Sequence, residues 1–411
     1  MISIHSNPIG ELGTNDTGGM SVYIRELARE LGKRGHQIDV YTRLQNGWHQ
    51  PIVDLFENVR LIHLGIPDKG YLSRLALYPY LSKFFELMEN FRSHEGIAYD
   101  LIHSHYWLSG RLGNWAQELW NRPHIAMLHT LGEVKNRTGV GRSEPELRIA
   151  AEKKLVKTCH RILAPTDLEK NNLMRYYEVC EEKIGVVPCG VNLDLFRPQD
   201  KQAARKQLGF DSEDLILLYV GRFEPLKGIE GLLEAMSHLK RLRRLRLVLV
   251  GGDGDGAIES RRLKQKATNL GIEDKVLFAG RVDQKYLPPY YSSADVLVIS
   301  SHYESFGLVG LEALACGRPV VSTPVGAMES LIKQSQAGHV VSDNLPRSLA
   351  KGIQSFITNS TPPPADEIRK SVLEYSWFNV AAAILKEYEK AIRHQSFEDD
   401  HLVPAQASCG K

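Results

Sequence analysis

The chain has 411 residues, which at roughly 100–200 residues per domain implies two or three domains. Hydrophobic residues make up 43% and charged residues 24%, the balance of a globular protein with real cores. The net charge of +2 creates no demand for a nucleic acid or an anionic membrane as partner.

The N-terminus, Met1-Ile2-Ser3-Ile4-His5, lacks the basic start and apolar run of a signal peptide. No stretch approaches the roughly 20 apolar residues of a membrane helix. Cys159, Cys180, Cys189, Cys316 and Cys409 form no C-x-x-C pair and read as reduced thiols. A cytoplasmic location is expected. The basic run from Lys240 to Arg246 reads as a solvated helix end, not a nucleic-acid patch.

Apolar runs alternate with amphipathic stretches, the pattern of βαβ units and parallel sheets. In the first half, strands are predicted at Met1–Ser6, Gln37–Thr42, Val59–Leu64, Leu101–Ser104, His124–His129 and Arg161–Ala164. Helices are clearest at Gly19–Arg34, with Gly35 placed to stop it, and at Arg148–Thr158. In the second half, strands are predicted at Leu215–Val220, Leu245–Val250, Val276–Phe278, Val296–Ile299 and Pro319–Ser322. Glycines follow strand ends at Gly221, Gly251, Gly280 and Gly326, where open α/β sheets bind ligands.

The stretch Val187 to Pro198, with two prolines and a glycine, reads as a domain connection. The expected organisation is one domain over 1–190, a second over 191–375, a helix over 376–394 and a disordered tail over 395–411. The fold class is α/β: two doubly wound domains facing across a cleft.

Four residue sets can carry chemistry. Gly18-Gly19 opens a helix, and free N–H groups at a helix start suit a diphosphate. A plain capped turn would look the same. Gly221-Arg222-Phe223-Glu224-Pro225-Leu226-Lys227-Gly228 places two cations five residues apart after a strand. Arg grips two phosphate oxygens and Lys adds a point charge.

Glu304-Ser305-Phe306-Gly307-Leu308-Val309-Gly310-Leu311-Glu312 sets two carboxylates eight residues apart, across a turn into an apolar helix. One can accept from sugar hydroxyls, the other from ribose, with amides between them for phosphate. Acids at a helix start are also common for the dipole alone. His129-Thr130 ends an apolar strand, where His129 can meet a reacting sugar or serve structure only.

Gly251-Gly252-Asp253-Gly254-Asp255-Gly256 lacks the G-x-G-x-x-G spacing of a dinucleotide site. Its Asp-x-Asp is a weak metal site on a loop, and the histidines show no zinc pair. Neither a metal nor a cofactor is expected beyond the ligand that these sets would hold.

Taken in order, these sets resemble the retaining glycosyltransferases of family four, which have the GT-B fold, from Asp16 to about Arg393. The resemblance is nearest to the mycothiol-pathway inositol-phosphate glycosyltransferases, with sucrose-phosphate-synthase-like relatives next. It is carried further by Thr17-Gly18-Gly19-Met20, by Tyr99 to Gly110 and by His129-Thr130-Leu131 with Val134-Lys135-Asn136, while Tyr78-Pro79-Tyr80-Leu81 resembles the sucrose-phosphate-synthase-like relatives.

On the donor side, the resemblance implies that the Gly19 amide, Arg222 and Lys227 meet the diphosphate. It implies that Glu304, with the amides of Phe306, Gly307 and Leu308, holds the sugar. Glu312 would hold the ribose, the backbone at Arg281 the base, and His129 would lie beside the transferred sugar.

The implied acceptor residues are Arg74, Tyr106, Thr130 and Arg148, for a small phosphorylated polyol or sugar. The family has Lys where Arg74 stands, with Lys69 a nearby alternative, and Asn where Ser21 stands; Ser21 would change the hydroxyl pattern recognised. The implied reaction is same-face transfer of a hexosyl or N-acetylhexosaminyl group from a UDP-linked donor. A homodimer is compatible with it.

The alternatives are transfer to a hexose phosphate, a nucleotide-sugar epimerase, and a non-catalytic sugar-nucleotide sensor. An epimerase would leave the acceptor residues without a task, and a sensor would be expected to have lost one of the charges. A nicotinamide dehydrogenase fails on glycine spacing.

Overall fold

The computed structural model describes residues 1–14, 16–44, 50–66, 72–252 and 258–401, with side chains as far as 393. Lys69, the Asp253–Gly256 stretch and Cys409 lie outside the described residues.

The first half forms β1 (Ile2–Ser3), β2 (Ile38–Arg43), β3 (Ile52–Phe56), β4 (Val59–Leu64), β5 (Ile102–His105), β6 (His124–Met127), β7 (Arg161–Ala164) and β8 (Ile184–Val186). They make one eight-stranded sheet in the order β3-β4-β2-β1-β5-β6-β7-β8. Every pairing in it is parallel except the edge pair β3 and β4.

The second half forms β9 (Leu215–Val220), β10 (Leu245–Val250), β11 (Val276–Gly280), β12 (Val296–Ile299), β13 (Val320–Ser322) and β14 (Gly338–Val340). This sheet is six-stranded, parallel throughout, in the order β11-β10-β9-β12-β13-β14. Strands buried on both faces read as continuous apolar runs, which is why Leu215–Val220 and Leu245–Val250 are plain in the sequence.

Differences from the sequence reading have local causes. The first strand leaves the ladder after Ser3, because the Ile4 amide turns to the Ser109 hydroxyl and the Ser3 hydroxyl donates to the Ser6 carbonyl. β6 stops at Met127, because His129 takes a left-handed φ of +59°. β8 and β14 are three-residue strands with a glycine, too short to give a periodic signal. Those glycines mark close approach: a Cβ at Gly338 would sit 2.0 Å from the Val320 carbonyl oxygen.

The last helix, Trp377–His401, runs past the expected end at 394 into the stretch expected to be disordered. No glycine or proline interrupts the sequence before Pro404; residues 402–411 lie outside the described residues. This helix packs on the first half of the chain. Trp377 meets the edge of Tyr23 at 5.4 Å, Arg161 Nε donates to Glu387 at 2.7 Å, and the Tyr388 hydroxyl lies 2.7 Å from His103 Nδ1. One buried cluster accordingly joins Tyr23 and Leu27 to Leu311, Trp377 and Ile384.

Candidate active site

The first helix, Gly19–Lys33, starts with no side-chain cap and no acid in its first turn. Its N–H groups are therefore left for an anion. This helix start faces residues of the second half. A Cβ at Gly18 would meet Arg222 Nε at 3.9 Å, and one at Gly19 would meet Leu308 Cδ1 at 3.1 Å.

Arg222 and Lys227 follow β9 through a tight turn. Gly228 closes it with φ +65°, where a Cβ would fall 1.9 Å from the Ser300 carbonyl oxygen. Glycine is the residue that fits such a position. Arg222 pairs with Glu224 at 2.7 Å, and Lys227 Nζ donates to Glu304 Oε1 at 2.6 Å. The Ser301 hydroxyl donates to the same oxygen at 2.7 Å.

Glu304 thus lies in the loop after β12, and Gly307, at φ +98°, starts the helix Leu308–Ala315. The Phe306 side chain is buried, its ring 6.4 Å from Tyr375, so its backbone is what the loop presents. Glu312 is buried in the helix. It accepts from the Tyr291 hydroxyl at 2.6 Å and from Gln284 Nε2 at 3.2 Å. Burial pushes its carboxyl up to about 7, and those two donors pull against it.

On the facing side, Tyr106 and His129 both hold positive φ, at +77° and +59°. Bulky residues rarely adopt that region, and a bulky residue held there stores backbone strain. Arg148 lies 4.8 Å and Arg74 6.0 Å from the centre of the Tyr106 ring. Arg74 Nε is 3.8 Å from the Asp16 carboxylate. Burial pushes Asp16 up, opposed by Arg74, Arg43 and Arg222, so cations of both halves converge there. His5 titrates well below its ordinary value, through burial and then Arg74, His129, Arg148 and Arg43. Burial alone holds His129 down to about 3, which keeps it neutral.

Two expected acceptor contacts are engaged within the fold. Ser21 is fully buried with its hydroxyl 2.6 Å from that of Ser6. Arg148 is 1% exposed; its Nη2 donates to the Thr130 carbonyl and hydroxyl at 2.8 and 2.9 Å, and its Nε to Glu152 at 2.7 Å. Arg148 therefore sets Thr130 in place from behind.

Several residues carry the site without a signal that spacing alone could reveal. Lys135 pairs with Glu144, which also holds Arg148. Arg281 of the second half pairs with Glu11 of the first. Arg25 Nη2 of the first helix donates to Gln284 at 2.7 Å, and Gln284 in turn donates to Glu312. The Tyr303 hydroxyl, one residue before Glu304, accepts from the Leu131 amide at 3.0 Å and donates to Glu169 at 3.2 Å.

Burial pushes the Glu169 carboxyl up to about 8. A raised carboxylate contributes stability fully present below its ordinary range and lost as pH rises through its folded value. Replacing it with glutamine removes that loss. The melting temperature of Glu169→Gln, relative to the parent chain, is therefore expected to rise between about pH 5 and about pH 9. A difference that stays constant with pH in thermal melts would refute the assignment.

With two halves, each built on a mainly parallel sheet, and side chains of both meeting at the start of the first helix, the molecule has the GT-B architecture. The chain belongs to the GT-B glycosyltransferases of family four. Residues 17–195 match Glycosyltransferase Family 4, and residues 200–374 match Glycosyl transferases group 1. It is 37% identical to D-inositol 3-phosphate glycosyltransferase 2 of Catenulispora acidiphila, covering 95% of this chain and 94% of that one. It is 36% identical to the D-inositol 3-phosphate glycosyltransferase of Geodermatophilus obscurus, covering 98% and 91%.

Among solved structures, sucrose-phosphate synthase from Thermosynechococcus elongatus superposes with a TM-score of 0.87 at 30% identity, over 96% of this chain and 98% of that one. Anabaena HepE in complex with UDP and glucose shares the fold with a TM-score of 0.74 at 20% identity, over 94% and 98%. Among the described residues, no helix is long and apolar enough to cross a membrane.

Proposed function

We propose that this chain transfers a hexosyl or N-acetylhexosaminyl group, with retention, from a UDP-linked donor to a small phosphorylated polyol or sugar. The observation that carries this reading is the meeting of the uncapped helix start at Gly19 with Arg222 and Leu308 of the other half. Backbone amides and cations converging from two sides suit a diphosphate.

In this reading Lys227 and Arg222 stabilise the charge that grows on the departing diphosphate, an electrostatic contribution. Glu304 holds the donor sugar and Glu312 the ribose. The base lies along the backbone at Arg281, and the acceptor phosphate near Arg74 and Tyr106. The acceptor hydroxyl attacks from the face the leaving group departs, and the departing phosphate oxygen takes its proton. The two halves closing over the donor keep out water that would otherwise hydrolyse it. Charge neutralisation is assigned to side chains, with no metal in the reading.

The names of the relatives favour an inositol phosphate as acceptor. A hexose phosphate is the second reading, favoured by the 0.87 TM-score to sucrose-phosphate synthase. Both place a phosphate at Arg74. Arg74→Ala is expected to raise KM for the phosphorylated acceptor by about 10- to 100-fold, the loss of one charged hydrogen-bond partner, and to leave KM for the donor within about twofold. Steady-state kinetics with each substrate varied would show it; an unchanged acceptor KM would move the phosphate elsewhere.

A further inference from the structure

We propose that His105 is a positioning residue that holds His129 as the neutral Nδ1–H tautomer, so that His129 offers the cleft a hydrogen-bond donor and not a base. The consequence for transfer rests on the proposed role of His129 beside the sugar; the tautomer itself does not.

His105 Nδ1 and His129 Nε2 lie 3.0 Å apart, the distance of a hydrogen bond. Such a bond holds one proton, on one nitrogen or the other. If His129 Nε2 carried it, a neutral His105 would have to accept at Nδ1 and carry its own proton on Nε2. That Nε2 is buried and has no partner among the described residues, so a donor would be stranded. If His105 Nδ1 carries the proton, its Nε2 is a bare lone pair. Buried donors without an acceptor are the rarer and costlier case. The second arrangement therefore wins, and it puts the proton of His129 on Nδ1.

The surroundings keep both rings neutral and fixed. Burial holds both well below their ordinary values. The Tyr23 ring stands edge-on 5.9 Å from His105 and 5.2 Å from His129. His103 lies 4.1 Å from His105 on the other side, and its Nδ1 is held 2.7 Å from Tyr388 of the last helix. That helix thus backs the histidine pair. His129 itself is pinned by its left-handed backbone. Its Nδ1 is not among the buried atoms that lack a partner, and the residue is partly exposed. An N–H there addresses a lone pair, such as a sugar hydroxyl or ring oxygen. It has no lone pair to take the acceptor's proton, and that proton goes instead to the leaving phosphate.

The test is long-range proton–nitrogen NMR of the full chain labelled with 15N-histidine, without ligand. The His129 signals are identified by their loss in His129→Gln. The expected result is a protonated Nδ1 and a bare Nε2. A protonated Nε2 with a bare Nδ1, or protons on both, would overturn the proposal.

His105→Asn keeps an N–H where Nδ1 stands. It is expected to retain the His129 pattern and kcat within about threefold. His105→Leu removes that donor. It is expected to release the His129 ring from its fixed orientation, to broaden its nitrogen signals between the two neutral forms and to lower kcat about tenfold, with both KM values within about twofold. Equal kcat in the two variants would contradict the positioning role. An Nδ1–H signal in a chain that transfers no sugar would uphold the tautomer while the transferase substrates assigned above fall.

Discussion

Lys227→Ala is expected to lower kcat by about 10²–10³-fold, the cost of removing one preorganised donor from a developing negative charge, while the fold survives. The Lys227 side chain is 23% exposed and its partner Glu304 14% exposed. An ion pair that is partly open to water contributes at most about 1 kcal/mol. Glu304 keeps its bond from Ser301 when the lysine is gone. The melting temperature should therefore fall by no more than about 2–4 °C. Lys227→Arg keeps the charge but replaces a compact ammonium by a planar fork, and is expected to recover only part of the rate. Turnover close to that of the parent chain in Lys227→Ala, with an unchanged melting temperature, would remove Lys227 from the chemistry.

Arg148→Leu is expected to do the reverse and act first on stability, by about 3–5 kcal/mol, the cost of stripping one partner from a buried ion pair. Glu152 is 0% exposed, so the carboxylate left behind has no route to water. It would retain the Gly132 amide and the Tyr177 hydroxyl as donors, but no cation. Thr130 would lose the guanidinium that holds its carbonyl and hydroxyl. Urea unfolding should show the loss. Arg148→Leu combined with Glu152→Gln removes the stranded charge while leaving a carbonyl for the Gly132 amide, and should be more stable than Arg148→Leu alone. A loss under about 1 kcal/mol in the single variant would mean that water or another cation reaches Glu152.

The sequence made the parallel strands and the glycine-marked turns legible for a physical reason. Strands covered on both faces must be apolar throughout, and Gly228 and Gly307 occupy left-handed backbone that other residues rarely adopt. The placement of the Arg222, Lys227, Glu304 and Glu312 segments was legible because it is local: each lies within a few residues of a strand end or helix start.

The acceptor side was less so. That Arg148 would spend its guanidinium on Glu152 and Thr130, or Ser21 its hydroxyl on Ser6, depends on which elements the sheet order brings together. The Tyr303–Glu169 bond joins residues 134 apart in sequence, and the Arg25–Gln284 bond joins residues 259 apart. No periodicity announces such contacts. The edge strand β3 was missed as well. It is antiparallel and largely uncovered, so its burial pattern lacks the continuous apolar run of the inner strands.

The central claim is that transfer depends on a phosphorylated acceptor, and release of nucleotide diphosphate tests it directly. UDP-, GDP- and ADP-sugars would each be offered with inositol phosphate, fructose 6-phosphate, glucose 6-phosphate and their unphosphorylated forms. The account predicts release from a UDP-sugar that requires one phosphorylated acceptor and is lost with its unphosphorylated form. Release that is indifferent to the phosphate, or no acceptor-dependent release from any pair, would contradict it, and the assignment of Arg74 would fall first.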